Sequence, residues 1–179
     1  EGTVRDSAGI AIVENTDQGI WTASNQWTVE EEVRIGTIEG DPNYQFGTIG
    51  LIAVDSRERL YVMDMQALHI QVYSADGRYE QTIGGPGDGP GEFGPTAAAL
   101  FMGPGDTLLV PDIANRRVNR FGPDGESIGS FVLDITHGIP MAINATRSGV
   151  ITEQVRPFPR EDQPAADSMD VILTLGTDG

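Results

Sequence analysis

Histidine and cysteine, the side chains most used in zinc sites and in activating nucleophiles, are scarce in this chain. His69 and His137 are the only histidines, and cysteine is absent. No His-x-His, His-Glu-x-x-His or Gly-x-Ser-x-Gly pattern occurs, so the common zinc and serine-nucleophile motifs are missing. An oxygen-ligated metal in a channel remains open, with Asp55 and Asn144 as example ligands, but no pattern distinguishes these two residues. We predict no catalytic, metal-binding or cofactor-binding residue, and no cofactor.

A glycine-rich run over 84–94 has the composition of a phosphate-binding loop. It lacks the Gly-Lys-Ser/Thr ending of a P-loop and the glycine spacing of a dinucleotide fingerprint. Pro86 and Pro90 also remove two backbone N–H groups that a phosphate would need. We therefore interpret the run as a connection between two structural units.

The overall charge excludes several classes of partner. Lys plus Arg total 11 and Asp plus Glu total 27, which gives a net charge of −16. Such a chain repels nucleic-acid phosphate and anionic lipid, and its densest basic cluster consists only of Arg116, Arg117 and Arg120. The longest apolar run, 97–102, is far shorter than a membrane span. We predict no nucleic-acid binding and no membrane-spanning segment.

The chain repeats itself at one fixed shift in sequence. The segment Leu-Tyr-Val-Met-Asp at 60–64 returns as Leu-Leu-Val-Pro-Asp at 108–112. Further landmarks match at the same shift: Ile70 with Val118, Tyr73 with Phe121, and Asp76-Gly77 with Asp124-Gly125. A single shift that relates several separated landmarks indicates an internal structural repeat.

Each repeated unit contains four short apolar segments separated by turn residues. The Asp-Gly pair between the third and fourth segments is a strong hairpin signal, since glycine accepts positive φ at little cost. Four short antiparallel strands per unit are typical of a β-propeller blade. The predicted strands are 51–54, 60–63, 70–73 and 79–83 in one unit and 98–102, 108–110, 118–121 and 127–133 in the next.

A third unit begins at 141–143, continues at 149–152 and resumes at 171–173. Within it, 156–168 contains three prolines and mixed charges, and we predict an inserted loop there. Because the chain stops at the turn after this third strand, we expect the native protein to continue beyond Gly179.

Two further strands are predicted upstream of the repeats. The segment 27–35 stands where the fourth strand of an earlier blade belongs, and 10–13 is one more apolar strand. The fold class that follows is all-β: a β-propeller of four-stranded antiparallel blades, forming an incomplete arc of a six-bladed ring. We assign it to a single domain over 1–179, with blades at 46–95, 96–139 and 140–179.

Three sequence motifs resemble known propellers. Gly-Pro-Gly-Asp-Gly-Pro-Gly-Glu-Phe at 85–93, followed by Val-Pro-Asp-Ile-Ala-Asn-Arg-Arg-Val at 110–118, resembles an NHL-type β-propeller repeat. The opening Val-Arg-Asp-Ser-Ala-Gly-Ile at 4–10 is similar to the start of six-bladed propellers of the bacterial envelope, many of which are lipoproteins. The resemblance implies a disk with loops on two faces, used for binding, and a periplasmic or cell-envelope location with a lipid anchor upstream of residue 1.

The repeat also assigns a role to two aspartates. Asp64 and Asp112 occupy equal positions at the end of the second strand, where a carboxylate can accept N–H bonds from the following turn. Equivalent residues of successive blades lie far apart on a ring, so these two cannot form one catalytic pair. The first unit departs from the motif at Ala67, where the second has Asn115, while His69 stands where the second unit has Arg117.

The predicted function is non-catalytic binding of a protein partner. The loop 156–168 interrupts the repeat, and Arg156, Phe158 and Arg160 offer the arginine and aromatic anchors that interfaces favour. We predict a scaffold propeller that serves as an extrinsic periplasmic subunit, docked on a membrane-embedded respiratory or photosynthetic complex. The alternative is a metal-dependent propeller enzyme of the lactonase or lyase type, which rests on analogy of fold alone.

Overall fold

The structure is a computed structural model, and it describes residues 3–14, 24–97, 99–136, 138–146, 150–158 and 171–175. The chain divides into two compact units, Glu1–Glu32 and Val33–Gly179. The described parts are built from β-strands, with two single-turn 3-10 helices at Pro42–Tyr44 and Pro104–Asp106. No helix among these residues is long and apolar enough to cross a membrane.

The N-terminal unit contains an antiparallel hairpin of β1 (Thr3–Ser7) and β2 (Ile10–Glu14). Ala8 and Gly9 turn the chain with φ of +56° and +83°, the left-handed backbone that a two-residue hairpin requires. The sequence predicted the second strand and missed the first, because the alternation in Thr3–Ser7 contains a single large apolar residue.

The predicted strand at 27–35 is wrong, because the structure has no strand there. A strand needs a neighbour to take up its backbone N–H and C=O groups. Val33 and Ile35 instead pack their side chains against Gly77. Val33 and Ile35 are therefore used in side-chain contact without a hydrogen-bonded ladder, whereas Trp27 and Val29 are exposed.

The second unit contains three consecutive antiparallel meanders. Two are four-stranded and the third shows three described strands; in each, consecutive strands pair. The first sheet comprises β3 (Ile49–Val54), β4 (Leu60–Asp64), β5 (His69–Tyr73) and β6 (Tyr79–Ile83). The second comprises β7 (Phe101–Met102), β8 (Leu108–Asp112), β9 (Arg117–Phe121) and β10 (Ser127–Val132). The third comprises β11 (Ile139–Ala145), β12 (Ile151–Arg156) and β13 (Val171–Leu175).

The strand β7 is shorter than the predicted 98–102. Only Phe101 and Met102 pair with β8, while Ala97 makes an isolated bridge to Asp112. Gly103 and Pro104 then begin a 3-10 turn, which ends the ladder. Residue 98 lies outside the described residues.

The second sheet is buried on both faces. Leu108, Val110 and Phe121 face the first sheet, where they join a core with Tyr61, Met63, Ile70, Val72, Ile83, Phe93 and Ala97. Leu109 and Val118 face the third sheet, and their cluster is completed by Phe131, Leu133, Ile143 and Ile151. Burial on both faces explains why 108–110 is a continuous apolar run, since neighbouring residues of a strand point to opposite faces.

Candidate functional site

The sheets present two ends, which we name by their connections. The turn face carries the β3–β4, β5–β6, β7–β8 and β9–β10 turns. The strap face carries the β4–β5 and β8–β9 turns together with two longer segments that enter the sheets: the first strap, residues 36–48, and the second strap, residues 84–96. Each strap leads into the first strand of a sheet.

On the strap face, Asp64 fastens the first strap to the end of β4. It is 2% exposed. Its Oδ2 accepts from the Gly47 N–H at 2.6 Å, and its Oδ1 accepts from Thr48, Gln66 and Ala67 at 3.1, 2.9 and 3.2 Å. Burial acts to raise the pKa of Asp64, but these four N–H donors outweigh it and hold the pKa below its ordinary value.

Asp112 repeats this arrangement at the end of β8. Its Oδ2 accepts from the Gly94 N–H at 2.8 Å and from the Asn115 side-chain amide at 2.8 Å, and its Oδ1 accepts from the Asn115 N–H at 3.2 Å. We call each of these aspartates, with its N–H donors, an aspartate clasp. The prediction that Asp64 and Asp112 bind backbone N–H groups is confirmed.

The glycine-rich run belongs to the second strap, and its prediction as a connection is confirmed. Arg117 donates to the backbone oxygens of Asp88, Gly89 and Glu92 at 2.8, 2.7 and 3.0 Å. Asn115 donates to the Gly87 oxygen at 3.0 Å. The strap therefore presents carbonyl oxygens to a cation, the opposite polarity to a phosphate cradle.

On the turn face, Asp55 is fully engaged by its neighbours. Its Oδ1 accepts from the N–H groups of Arg57 and Arg59 at 2.9 Å each, and its Oδ2 accepts from Arg59 Nε at 2.7 Å and the Tyr61 hydroxyl at 3.3 Å. A carboxylate offers about four acceptor positions, and all are used. The suggestion that Asp55 could hold a channel metal is therefore not supported by its geometry.

Arg59 extends this network to the second sheet, because its Nη2 donates to the Pro123 oxygen at 2.8 Å. Burial would lower the pKa of Arg59, but the hydrogen bond and charge of Asp55 raise it above its ordinary value. Burial also raises the pKa of Tyr61 to about 12, so its hydroxyl stays protonated at neutral pH.

A cavity of about 550 Å³ opens on the turn face between the first two sheets. Its walls include the β3–β4 and β7–β8 turns. Asp106 accepts from the Ser56 N–H at 3.0 Å and from the Ser56 hydroxyl at 2.7 Å, and these bonds lower the pKa of Asp106. Sequence reasoning missed this link because Ser56 and Asp106 carry no motif and belong to different units. The lining residues are Val54, Asp55, Ser56, Met102, Gly103, Pro104, Gly105 and Asp106.

The remaining candidate residues lie apart from this cavity wall. Asn144 is exposed on β11, and His69 opens β5 opposite Asp64. His137 lies outside the described residues. Within the described ranges, no group of three or more His, Asp or Glu could hold a metal ion. Sequence reasoning also missed Glu153, a fully buried carboxylate in β12.

The predicted partner-binding residues fall at the end of β12. Arg156 is its last residue and is exposed, and Phe158 follows with 51% of its surface exposed. Arg160 and most of the predicted loop 156–168 lie outside the described residues. Arg156 and Phe158 therefore both lie on the accessible surface. The partner-binding role of Arg156, Phe158 and Arg160 stays a prediction.

A family model described as a 6-bladed beta-propeller matches residues 37–135. The chain belongs to this six-bladed propeller family. The predicted fold class is confirmed: the three meanders are blades of a partial propeller. The narrower assignment to an NHL-type repeat stays a prediction.

The chain is also similar to solved structures, and the first of these supports the same fold. A protein from Bacteroides fragilis NCTC 9343 that is described as exported matches with a TM-score of 0.59 and 18% identity, over 78% of this chain and 38% of that one. A streptogramin B lyase matches at 0.46 and 16%, over 59% and 33%. A virginiamycin B lyase from Staphylococcus aureus matches at 0.42 and 14%, over 69% and 39%. The chain thus spans about two fifths or less of these structures, and no curated protein matches it.

Proposed function

We propose that this propeller is a non-catalytic, protein-binding scaffold of the bacterial cell envelope, acting as an extrinsic periplasmic subunit on a membrane-embedded respiratory or photosynthetic complex. The observation that carries the proposal is the connection between β12 and β13. In the first two blades the second and third strands are joined by 65–68 and 113–116, whereas in the third blade the connection is 157–170. The sheet itself does not need this length.

The residue types at the start of this connection suit a protein interface. Phe158 exposes half of its surface although an aromatic ring gains by leaving water. Arg156 precedes it, and Pro157 and Pro159 flank it in sequence. Prolines restrict the unbound chain, which lowers the ordering cost of binding. Arginine and aromatic side chains are enriched where interfaces concentrate their binding energy.

The charged side chains that form the hydrogen-bond networks of the first two blades favour a scaffold function. Asp55, Arg59, Asp64, Asp112 and Arg117 all bind the backbone of straps or turns. The alternative is a metal-dependent lactonase or lyase, for which Asp55 is an example ligand. Both oxygens of Asp55 already accept hydrogen bonds from protein donors.

The envelope location draws on the exported Bacteroides protein that shares the fold. A net charge of −16 favours a partner with a basic surface over an anionic bilayer. A lipid anchor before residue 1 and docking on a membrane complex complete the proposal.

Affinity purification from gently solubilised native membranes tests this function. We expect the combined change of Arg156→Ala, Phe158→Ala and Arg160→Ala to abolish co-purification of the partner while the far-ultraviolet circular dichroism stays that of a β protein. Arg78→Ala, on the exposed β5–β6 turn, is the matched control and should retain the partner. If the triple variant retained the partner fully, the anchor would not lie in this connection. A wild-type protein that purifies alone would contradict the subunit hypothesis itself.

A further inference from the structure

Among the described residues, the last strand of the second blade, β10, has one unpaired edge. The strand order of that sheet is β10-β9-β8-β7, so β10 pairs with β9 on one side, and no described strand pairs with its other side. Four strands are the usual number for a blade. The repeat therefore does not require another strand at β10.

Most of this edge lacks the charged residues and prolines by which sheets usually avoid new partners. Exposed edges are typically protected by charged residues or proline. The sequence of β10, Ser-Ile-Gly-Ser-Phe-Val, contains neither, and Ile128 and Val132 are 43% and 73% exposed. The corresponding strand of the first blade, β6, carries Glu80. A bulge disturbs β10 only at Ser127/Gly129, and the rest keeps a regular register with β9.

Acidic residues lie at both ends of β10. Asp124 and Glu126 precede it and Asp134 follows it, and all three are exposed. An added strand would therefore meet an uncharged centre between two negative ends. The complementary partner is an extended segment with β-branched or apolar residues in its centre and lysine or arginine at its ends.

A second copy of the chain does not fit this edge. If two β10 strands paired antiparallel, the start of one would face the end of the other. Glu126 would then approach Asp134 of the copy, which places like charges together at both ends of the new ladder. Each copy also carries a net charge of −16.

We propose that the outer edge of β10 is a strand-addition site, which receives an extended, basic-ended segment of a partner protein as a fifth strand of the second blade. Backbone N–H and C=O groups of β10 supply the affinity, and the flanking acids select the charge of the segment. The proposal uses no residue of the β12–β13 connection, so the two proposals can fail independently.

A synthetic peptide, Lys-Lys-Val-Thr-Val-Thr-Val-Lys-Lys, is the probe. We expect saturable binding to the whole chain and slower amide hydrogen exchange confined to β10. The double variant Ser130→Lys/Val132→Lys places charge on the edge, and it should weaken binding by about tenfold or more. Thr82→Lys, at the equivalent edge of β6, is the matched control and should bind as the wild type does.

Several results would overturn the proposal. They are unchanged affinity in the double variant, slowed exchange outside β10, or equal binding of a peptide with glutamates in place of its lysines. Concentration-dependent dimerisation lost in Ser130→Lys would assign the edge to a second copy instead. If the double variant misfolds, a peptide with proline at its central position decides the question on the wild type, because it cannot complete the ladder and should not bind.

Discussion

The two straps solve one structural problem with different side chains. Each must hold an irregular segment against the end of its blade. The first strap is held by aromatic residues: the Tyr73 hydroxyl donates to the Asn43 oxygen at 2.6 Å, and the Tyr79 N–H donates to the Tyr44 hydroxyl at 2.9 Å. The second strap is held by the guanidinium of Arg117 and the amide of Asn115.

The two straps have few contacts in common and differ in the others. Both have an aspartate clasp, and in both a phenylalanine directly before the clasped glycine packs on an aromatic ring of the third strand. Phe46 lies 6.1 Å from Tyr73 and Phe93 lies 5.7 Å from Phe121, measured between ring centroids. A Phe-Gly pair and one aspartate therefore define the connection, while the other contacts can be exchanged.

Removing the shared element should have the largest effect. Asp64→Ala and Asp112→Ala each leave several N–H donors, most of them partly buried, without the carboxylate that accepts from them. We expect a loss of about 3 to 5 kcal/mol in the free energy of unfolding for either variant, by chemical denaturation. Asp76→Ala, an exposed aspartate of the β5–β6 turn, should change stability little. If the clasp variants were as stable as this control, the clasp would not be the element that holds both straps.

Disturbing the second strap alone should cost less. Gly84 has a φ of +72°, and a Cβ there would overlap the Phe93 ring. Gly84→Ala should therefore lower the free energy of unfolding by about 2 to 4 kcal/mol. Gly85→Ala is the adjacent control, because a Cβ at Gly85 meets nothing within 4 Å. Equal thermal stability of the two variants would contradict the packing of Phe93 against this strap.

The aromatic fastening of the first strap predicts a smaller effect. Tyr73→Phe removes one buried hydroxyl and leaves the Asn43 oxygen with only the longer bond from the Gln71 amide at 3.2 Å, so we expect a loss of about 1 to 2 kcal/mol. Tyr79→Phe removes an exposed hydroxyl that bonds Thr82, and its unfolding midpoint should stay close to that of the wild type. A larger loss for Tyr79→Phe would place the fastening elsewhere.

The smallest expected effect is a difference in the acid limb of stability. The pKa of Asp64 is lower in the folded chain than its ordinary value of 3.8, so the unfolded state takes up the proton first as pH falls. The contribution of this clasp is complete above about pH 5 and is lost as pH falls through the folded pKa. Asp64→Asn should flatten this part of the stability profile. An unchanged slope between pH 5 and pH 2 would argue against an ionised clasp.

Sequence reasoning succeeded where information was repeated. The fixed shift predicted the strands β4, β5, β8 and β9 and the role of Asp64 and Asp112, because two copies of a pattern exclude accidental similarity. It failed where a residue acts once. The 27–35 segment has apolar residues at strand spacing, but no neighbour pairs with it.

Contacts between blades were also beyond prediction. The Ser56–Asp106 bonds and the Arg59 bond to Pro123 join residues of ordinary type in different units, and no periodicity marks them. The buried Glu153 interrupts the apolar residues on its face of β12. The repeat could not predict this, because Glu153 belongs to the third blade alone. The residues that define a blade were therefore predictable, and those that join blades were not.

The bond from Arg59 to Pro123 has a consequence for cooperativity. In repeat architectures each unit touches only its neighbours, so a terminal unit can open alone unless the interface energy forbids it. Opening the β3–β4 turn of the first blade would leave the buried carboxylate of Asp55 without its hydrogen-bond donors. It would also release the β9–β10 turn of the second blade. The amides of these two blades should therefore exchange with solvent at one common rate, as a single cooperative unit.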